Sequence, residues 1–380
     1  MMYEYQQYGR FFAQVAGNME ELGAQELREF GVKDIKPVYR GLWFQTTLEK
    51  VYRINYRARL LTRILAPLKN FSCHSTKYLY KTARDMPWNE IMNADQSFAV
   101  FAHVNNSHIK HSQYAAQVLK DAVVDFFRDL DGTRPSVDRE NPDIWLNLHV
   151  ENNQARISLD TSGGSLHRRG YRVKSVAAPM QETLAAAILR VTGWNGAVPL
   201  LDPMCGSGTF LAEAALHYCR IPSAYNRTNF GFFHLPDFDK TVWDAMVTDG
   251  KRLARSLPEN LIMGSDISDS AIAAARENCA KVPFGNKIEL NIQDFRRHPG
   301  LENGMIICNP PYGIRLGTPE KLVELYGELG DFLKQKCHGS TAWIYCGNRE
   351  LIPAIGLKPS MKMPLVNGQL DGRLLKIEIY

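Results

Sequence analysis

Asn309-Pro310-Pro311-Tyr312 holds the residue types best able to do chemistry together. It offers a side-chain amide, a carbonyl from Pro310 held in extended geometry by the proline after it, and a broad aromatic face. Those groups suit a flat ring bearing an exocyclic amine. The amide oxygen of Asn309 and the carbonyl of Pro310 can each accept one amine hydrogen, while Tyr312 stacks on the ring. The chemistry this implies is reaction at a nucleobase amine. Met305-Ile306-Ile307-Cys308 reads as the short buried strand that delivers Asn309, and the two prolines end it because proline has no N–H for a ladder.

A second constellation lies upstream. Val198 to Asp202 reads as a strand running straight into Pro203-Met204-Cys205-Gly206-Ser207-Gly208-Thr209-Phe210, with a helix from Leu211 to Arg220. A strand ending in an acid, a glycine loop and a helix N-terminus describe a cofactor cradle, since glycines let the backbone approach a ligand and free N–H groups face it. No Lys-Ser/Thr follows the glycines and no third glycine completes a dinucleotide fingerprint, so a triphosphate or dinucleotide site is not indicated. The strand Leu261 to Asp266 ends in an acid able to accept both hydroxyls of a ribose; a helix cap for Ala271 to Cys279 is its other reading, and Ser268 can share that role. Asp294, at the end of a strand over Lys287 to Ile292, can take an adenine amine. All four strands end in polar loops on one sheet edge, where ligands of such folds bind.

Strands alternate with helices from residue 176 onward, including a helix over Gln181 to Val191, which implies a mostly parallel α/β sheet. The insertion from Ile221 to Ser256 carries Tyr225, Phe230, Phe232, Phe233 and Trp243. It is expected to pack as a small subdomain, with cover over the site as the other reading. Residues 1–70 read as a β-α-β-β-α-β unit whose Arg53, Arg57, Arg59 and Arg63 can face phosphate or solvent. Residues 71–165 read as a second α+β unit, with a long amphipathic helix from Tyr114 to Phe127 against strands at Ser97 to Val104, Ile144 to Val150 and Arg156 to Asp160. Its loop Asn105 to Ser112, with Lys110, is rich in donors to phosphate or sugar oxygens. Residues 166–178 form a connector after the glycine-serine hinge Asp160 to Ser165; its Arg168, Arg169, Tyr171 and Arg172 make a compact site for phosphate or a base.

Composition narrows the partners. Residues 1 to 175 hold 24 Lys+Arg against 19 Asp+Glu, which leaves 21 against 21 of the chain's 45 and 40 for the remainder. The whole excess of positive charge is in the first half, as a polyanion-binding part requires. Seven scattered cysteines with no C-x-x-C pair imply reduced buried thiols and no metal site. No apolar run approaches the roughly 18 residues of a membrane span, and the N-terminus has no apolar signal core, so a cytoplasmic protein without a membrane partner is expected.

Through Asp202 to Thr209, Asp266, Asp294 and Asn309-Pro310-Pro311-Tyr312 the chain resembles the class I S-adenosylmethionine-dependent methyltransferases. Residues 1–172, through Asp160-Thr161-Ser162-Gly163 and Leu166-His167-Arg168-Arg169-Gly170-Tyr171-Arg172, resemble ferredoxin-like and THUMP RNA-binding domains. The combination is similar to the bacterial 23S ribosomal RNA guanine-N2 methyltransferases of the THUMP class, stand-alone or as the N-terminal module of a fused enzyme. That resemblance implies a Rossmann-like methyltransferase domain over 179–380 preceded by the two α+β domains. It also implies that Gly206 and Gly208 contact the methionine part of S-adenosylmethionine with Asp202 near its amino group, that Thr209 also binds the cofactor, that Asp266 holds the ribose and Asp294 the adenine, and that Gln181 and Glu182 flank the cofactor. Asn309, Pro310 and Tyr312 are then the catalytic set, with Asn309 also within the cofactor's reach. The RNA is expected to be ribosomal; tRNA stays open as substrate, as do adenine N6 in place of guanine N2 and an RNA-binding role in ribosome assembly without catalysis.

Overall fold

A strand whose side chains alternate between core and solvent must lay one face on helices. β1 (Arg10–Gln14) buries Phe11 and Ala13, and β3 (Gly41–Gln45) buries Leu42 and Phe44. The computed structural model, which describes residues 2–175, 179–313, 318–368 and 370–380, contains two such sheets in two compact units. One unit comprises Met1–Val15, Gly23–Leu166 and Arg227–Met246; the other comprises Ala16–Leu22, His167–Asn226 and Val247–Tyr380.

In the first unit, β2 (Lys33–Val38), β3, β1, β4 (Arg63–Ser72), β7 (Gln154–Asp160), β6 (Ile144–Glu151) and β5 (Phe98–Asn105) follow one another across a single sheet. The two α+β units read from the sequence are thus halves of one sheet. β4 pairs antiparallel with β7 from Leu65–Asp160 to Ser72–Gln154, with a bulge between Pro67 and Lys69. The helices of this unit include α1 (Glu4–Tyr8), α2 (Glu20–Glu29), α3 (Leu48–Arg57), α4 (Thr76–Arg84) and α5 (Ser112–Asp131). α5 buries Ala115, Val118, Leu119, Ala122, Val123 and Phe127, the stripe its periodicity implied; Tyr114 is exposed and Phe126 half-buried. Arg53 is ion-paired with Glu49, and Arg63 with the buried Asp160, so these two are partnered within the protein.

The glycine-serine stretch after β7 is not a hinge. Thr161 and Ser162 are fully buried, and their hydroxyls exchange hydrogen bonds with the Asn55 side chain and the Ile64 backbone. The glycines serve a close approach: a Cβ on Gly163, which sits at φ +63°, would stand 2.8 Å from Gly231 N, and one on Gly231 would stand 1.8 Å from Asp160 O. Arg227 locks the crossing by donating to the carbonyls of Ser162, Gly163 and Ser165 at 2.7, 3.1 and 2.8 Å. Gly231 belongs to the insertion, which does not form a subdomain of its own. Its Phe232 stacks on Tyr52 of α3 with centroids 4.7 Å apart, and Trp243 meets Tyr56 edge-on at 5.4 Å, so Arg227–Met246 completes the core of the first unit.

The second unit holds α6 (Glu182–Thr192), β8 (Leu200–Asp202), α7 (Thr209–Tyr218), β9 (Ile262–Asp266), α9 (Asp269–Ala280), β10 (Glu289–Ile292), β11 (Met305–Cys308), α10 (Pro319–Lys336), β12 (Thr341–Cys346), β13 (Met361–Asn367) and β14 (Leu370–Glu378), while α8 (Lys240–Arg252) begins in the first unit and ends in the second. The sheet order is β10-β9-β8-β11-β12-β14-β13. β8 is flanked by β9 on one side and β11 on the other, both parallel to it. The chain therefore reverses its direction of progress across the sheet between β8 and β11, and the crevice beyond their carboxyl ends is the place such a sheet offers a ligand. All seven cysteines are buried free thiols, and among the described residues no helix is long and apolar enough to cross a membrane.

Candidate active site

The parallel register brings the sequence-derived acids to one edge. Asp202 pairs with Gly264 at the end of β8, and Asp266 lies two residues further along β9. Asp202 is 2% exposed and accepts Met204 N–H at 3.1 Å; burial first, then the neighbouring Asp266, pushes its carboxyl well above the usual range. Asp266 accepts Gly206 N–H at 3.0 Å through Oδ2 and Ser268 N–H at 2.9 Å through Oδ1. Ser268, not Asp266, caps α9 through Ala271 N–H. Asp266 thus fixes the glycine loop, and each of its oxygens keeps lone pairs for a further donor.

The loop itself turns through positive φ at Gly206 (+53°) and Gly208 (+78°) before α7 begins at Thr209. A Cβ on Gly208 would come within 3.2 Å of both Ala275 Cβ and Cys279 Sγ, so α7 and α9 close on each other only around a glycine. Asp294 accepts Arg296 N–H at 3.0 Å and is ion-paired with the Arg296 guanidinium at 2.9 Å. Gln181 is the exposed N-cap residue of α6, whereas Glu182 is buried.

The connector arginines behave differently from the RNA-facing set read in the sequence. Arg169 and Tyr171 are 2% and 1% exposed, and both meet the buried Glu213 of α7. Arg172 donates to Glu182 Oε1 at 2.8 Å, Met180 O at 2.7 Å and Thr209 Oγ1 at 3.1 Å. These three side chains hold the connector against α6 and α7; buried guanidinium groups need carboxylates, and Glu182 and Glu213 supply them. Arg168 and Lys110 are exposed and free to meet a polyanion. Asn278 of α9 is an organiser that sequence reading missed. It is 1% exposed, accepts Val173 and Lys174 N–H and donates to Ser207 O at 3.0 Å, joining the connector to the glycine loop. An asparagine on the apolar face of a predicted helix was its only signal.

Asn309 follows β11 directly, across the switch point from Asp202. Its Oδ1 is buried and has no hydrogen-bond partner among the described residues. A buried carbonyl left unsatisfied costs about 1–3 kcal/mol and is retained where a ligand completes it. Pro310 is buried and Tyr312 half-buried against the cluster of Cys308, Tyr326 and Cys346. The Tyr312 ring rests on Gly347, where a Cβ would stand 2.6 Å from Tyr312 Cγ.

The residues fit S-adenosylmethionine by their donor chemistry. The loop at Gly206 and Gly208 and Asp266 bracket the space beyond β8 and β9, Arg172 Nη1 is a buried donor without a partner among the described residues, and the Asn309 acceptor adjoins them on β11.

Comparison with known proteins agrees with the architecture. Residues 169–376 match the RMKL-like methyltransferase domain family, residues 73–160 the THUMP domain and residues 10–65 the RlmL ferredoxin-like domain. A Synechocystis protein provisionally named an RNA methyltransferase, slr0064, is 39% identical over 97% of both chains. The ribosomal RNA large subunit methyltransferase K/L of Syntrophotalea carbinolica is 40% identical over 97% of this chain but 53% of its own, so the chain spans about half the length of those relatives. Among solved structures, SMU.472, provisionally named a methyltransferase and solved in complex with SAH, superposes with a TM-score of 0.87 at 26% identity over 98% of both chains. A Listeria monocytogenes protein provisionally named an N6-adenine-specific DNA methylase gives 0.84 at 25% identity, over 98% of this chain and 96% of its own. The chain belongs to the RMKL-like family of THUMP-containing, S-adenosylmethionine-dependent class I methyltransferases.

Proposed function

We propose that this chain transfers a methyl group from S-adenosylmethionine to the exocyclic N2 amine of a guanosine in RNA, and that the RNA is that of the large ribosomal subunit. The observation that carries the reading is the unpartnered, buried Asn309 Oδ1 at the switch point, ahead of Pro310 and Tyr312. The amine nitrogen of a purine is a poor nucleophile because its lone pair is delocalised into the ring. Asn309 Oδ1 and Pro310 O, each accepting one amine hydrogen, would draw the nitrogen toward tetrahedral geometry and free that pair, with Tyr312 stacked on the ring. Bound S-adenosylmethionine supplies the electrophilic sulfonium methyl. Asp266, the Gly206 to Gly208 loop, Thr209, Asp202, Asp294 and the Gln181-Glu182 pair would hold and orient it.

Because Asn309 Oδ1 is covered by protein, the base gains it only when that cover shifts. A paired base must also leave its stack, at a few kcal/mol offset by RNA binding. Lys110 and Arg168 would contribute to that binding, and the Ile314 to Gly317 segment after Tyr312 lies outside the described residues. The name of slr0064 supports RNA as substrate and those of the K/L relatives support ribosomal RNA, and a cytoplasmic location follows from it. The name of the Listeria protein favours adenine N6 in DNA as a second reading. Parallel incubations of labelled cofactor with protein-free ribosomal RNA and with DNA, followed by nucleoside mass spectrometry, decide between them: N2-methylguanosine in the RNA is expected, and N6-methyladenosine or labelled DNA would overturn the assignment.

A further inference from the structure

The face of the first unit's sheet opposite its core carries an uncommon set of side chains. Arg10 and Phe12 on β1, Trp43 on β3, Arg156 on β7, Trp145 and His149 on β6, and Phe101 and His103 on β5 alternate with the buried residues of those strands. They form two stacks. In one, the guanidinium carbons of Arg10 and Arg156 lie 4.4 and 4.2 Å from the Trp43 ring centre, with Phe12 at 4.9 Å. In the other, Phe101, itself 39% exposed, stacks on Trp145 at 4.8 Å and 15°, with Arg63 5.1 Å from the Trp145 ring. His103 and His149 stack beside them at 5.7 Å.

Arginines held for stability on a sheet normally meet a carboxylate, as Arg63 does with Asp160. Arg10 and Arg156 enter no ion pair among the described residues. Arg156 donates to Asn70 Oδ1 at 2.9 Å; burial lowers its guanidinium to about 10, with Arg10 adding to the shift and Glu4 and Glu151 opposing it from beyond ion-pair distance. Two stacked guanidinium groups with free N–H edges are preorganised for phosphate, which takes them bidentately and restores the lost solvation. The exposed Phe101–Trp145 pair offers a π surface beside them. Protein interfaces also enrich arginine and aromatic rings, but there the guanidinium groups meet carboxylates or carbonyls; on a chain of an RNA methyltransferase family, two guanidinium groups without an ion-pair partner match phosphate instead. Duplex RNA hides its base faces, and a single strand presents both phosphates and bases.

We propose that this sheet face binds a single-stranded segment of RNA, with phosphates on Arg10 and Arg156 and bases stacked on Phe101 and Trp145. The proposal rests on an RNA substrate for the chain but not on which nucleotide is methylated. Fluorescence anisotropy of a labelled 12-nucleotide oligouridylate with the full chain tests it, without any methyl transfer. Phe101→Ala should weaken binding about 5- to 100-fold. The double variant Arg10→Ala/Arg156→Ala should lower the slope of log affinity against log salt by about 1.4, roughly 0.7 for each phosphate contact. Arg10 and Phe101 are exposed and Arg156 is half-buried, and an unchanged affinity for S-adenosylhomocysteine by calorimetry confirms that the variants fold. Affinity within twofold and an unchanged salt slope in both variants, as expected were this face to bind a protein instead, would overturn the proposal, and so would a 12-base-pair duplex binding as tightly as the single strand. A correct oligonucleotide response with a product other than N2-methylguanosine would sink the functional assignment and leave this one standing.

Discussion

Arg172 donates through Nε to Glu182 Oε1 at 2.8 Å, with side chains 17% and 7% exposed, while its Nη2 spans Met180 O and Thr209 Oγ1. One guanidinium therefore joins the connector, the start of α6 and the first residue of α7. Removing it strands Glu182 as an unpaired buried carboxylate, which typically costs 3–5 kcal/mol, or about that here. Arg172→Ala should lower the urea midpoint accordingly and weaken S-adenosylhomocysteine binding at least tenfold. Arg172→Lys keeps the charge but loses the planar fork, and should recover stability more than affinity. Wild-type affinity in folded Arg172→Ala would show that the guanidinium is structural only.

Asn309→Ala removes the acceptor whose Oδ1 is unpartnered and buried. Losses of one preorganised polar contact in a transition state are on the order of 100- to 1000-fold in kcat. That loss is expected in single-turnover methyl transfer, with S-adenosylhomocysteine affinity changed by less than about threefold. Near-normal transfer by the variant would remove Asn309 from the chemistry.

Gly347 bears on the same step from a distance. Its missing side chain is what lets the Tyr312 ring lie where it does, since a Cβ would stand 2.6 Å from Tyr312 Cγ. Gly347→Ala must displace the ring by overpacking, at a cost of about 1–3 kcal/mol. The expected result is a ~10- to 100-fold fall in kcat/KM for RNA with cofactor binding intact, because a small misplacement of a stacking group is enough. Equal activity of wild type and variant across a substrate titration would show the ring position to be immaterial.

The strand ends and the loops that follow them were legible because their signal is local. Prolines end β11 after Cys308, glycines mark the loop after Asp202, and Ser268 stands where a helix cap belongs. What stayed hidden depends on pairing distant in sequence. The joining of β4 to β7 cannot be read from either strand alone. Arg169, Tyr171 and Arg172 look like surface basic residues until Glu213 and Glu182 are found against them. Gly163 reads as part of a hinge and Gly231 carries no reading of its own, and only their mutual approach shows a sealed joint.

Burial of imidazoles gives the fold an acid-sensitive side. His234 packs in the first unit beside Gln96, and burial lowers its pKa from the ordinary 6.5, with Asp143 opposing. A histidine held neutral in the fold binds fewer protons there than in the unfolded chain. Its contribution is complete above about pH 6.5 and is lost as pH falls below that range toward its folded value. Melting temperature should drop between pH 7 and 5.5, and His234→Gln should flatten that dependence. A slope identical in wild type and variant would assign the acid sensitivity elsewhere.

Residues Arg227–Met246 belong to the first unit although the glycine loop and α7 of the second precede them in the chain. During synthesis, then, the first unit waits. Its sheet can assemble once β7 has emerged, but Gly231 is not yet there to close on Asp160, nor Phe232 to cover Tyr52. The nascent chain must carry an unsealed core until the ribosome has passed residue 246, by which point α6, β8 and α7 are also free to fold. Maturation of the two units is interleaved in time, and a release of the chain anywhere between residues 166 and 227 would yield an adhesive fragment for chaperones or proteases.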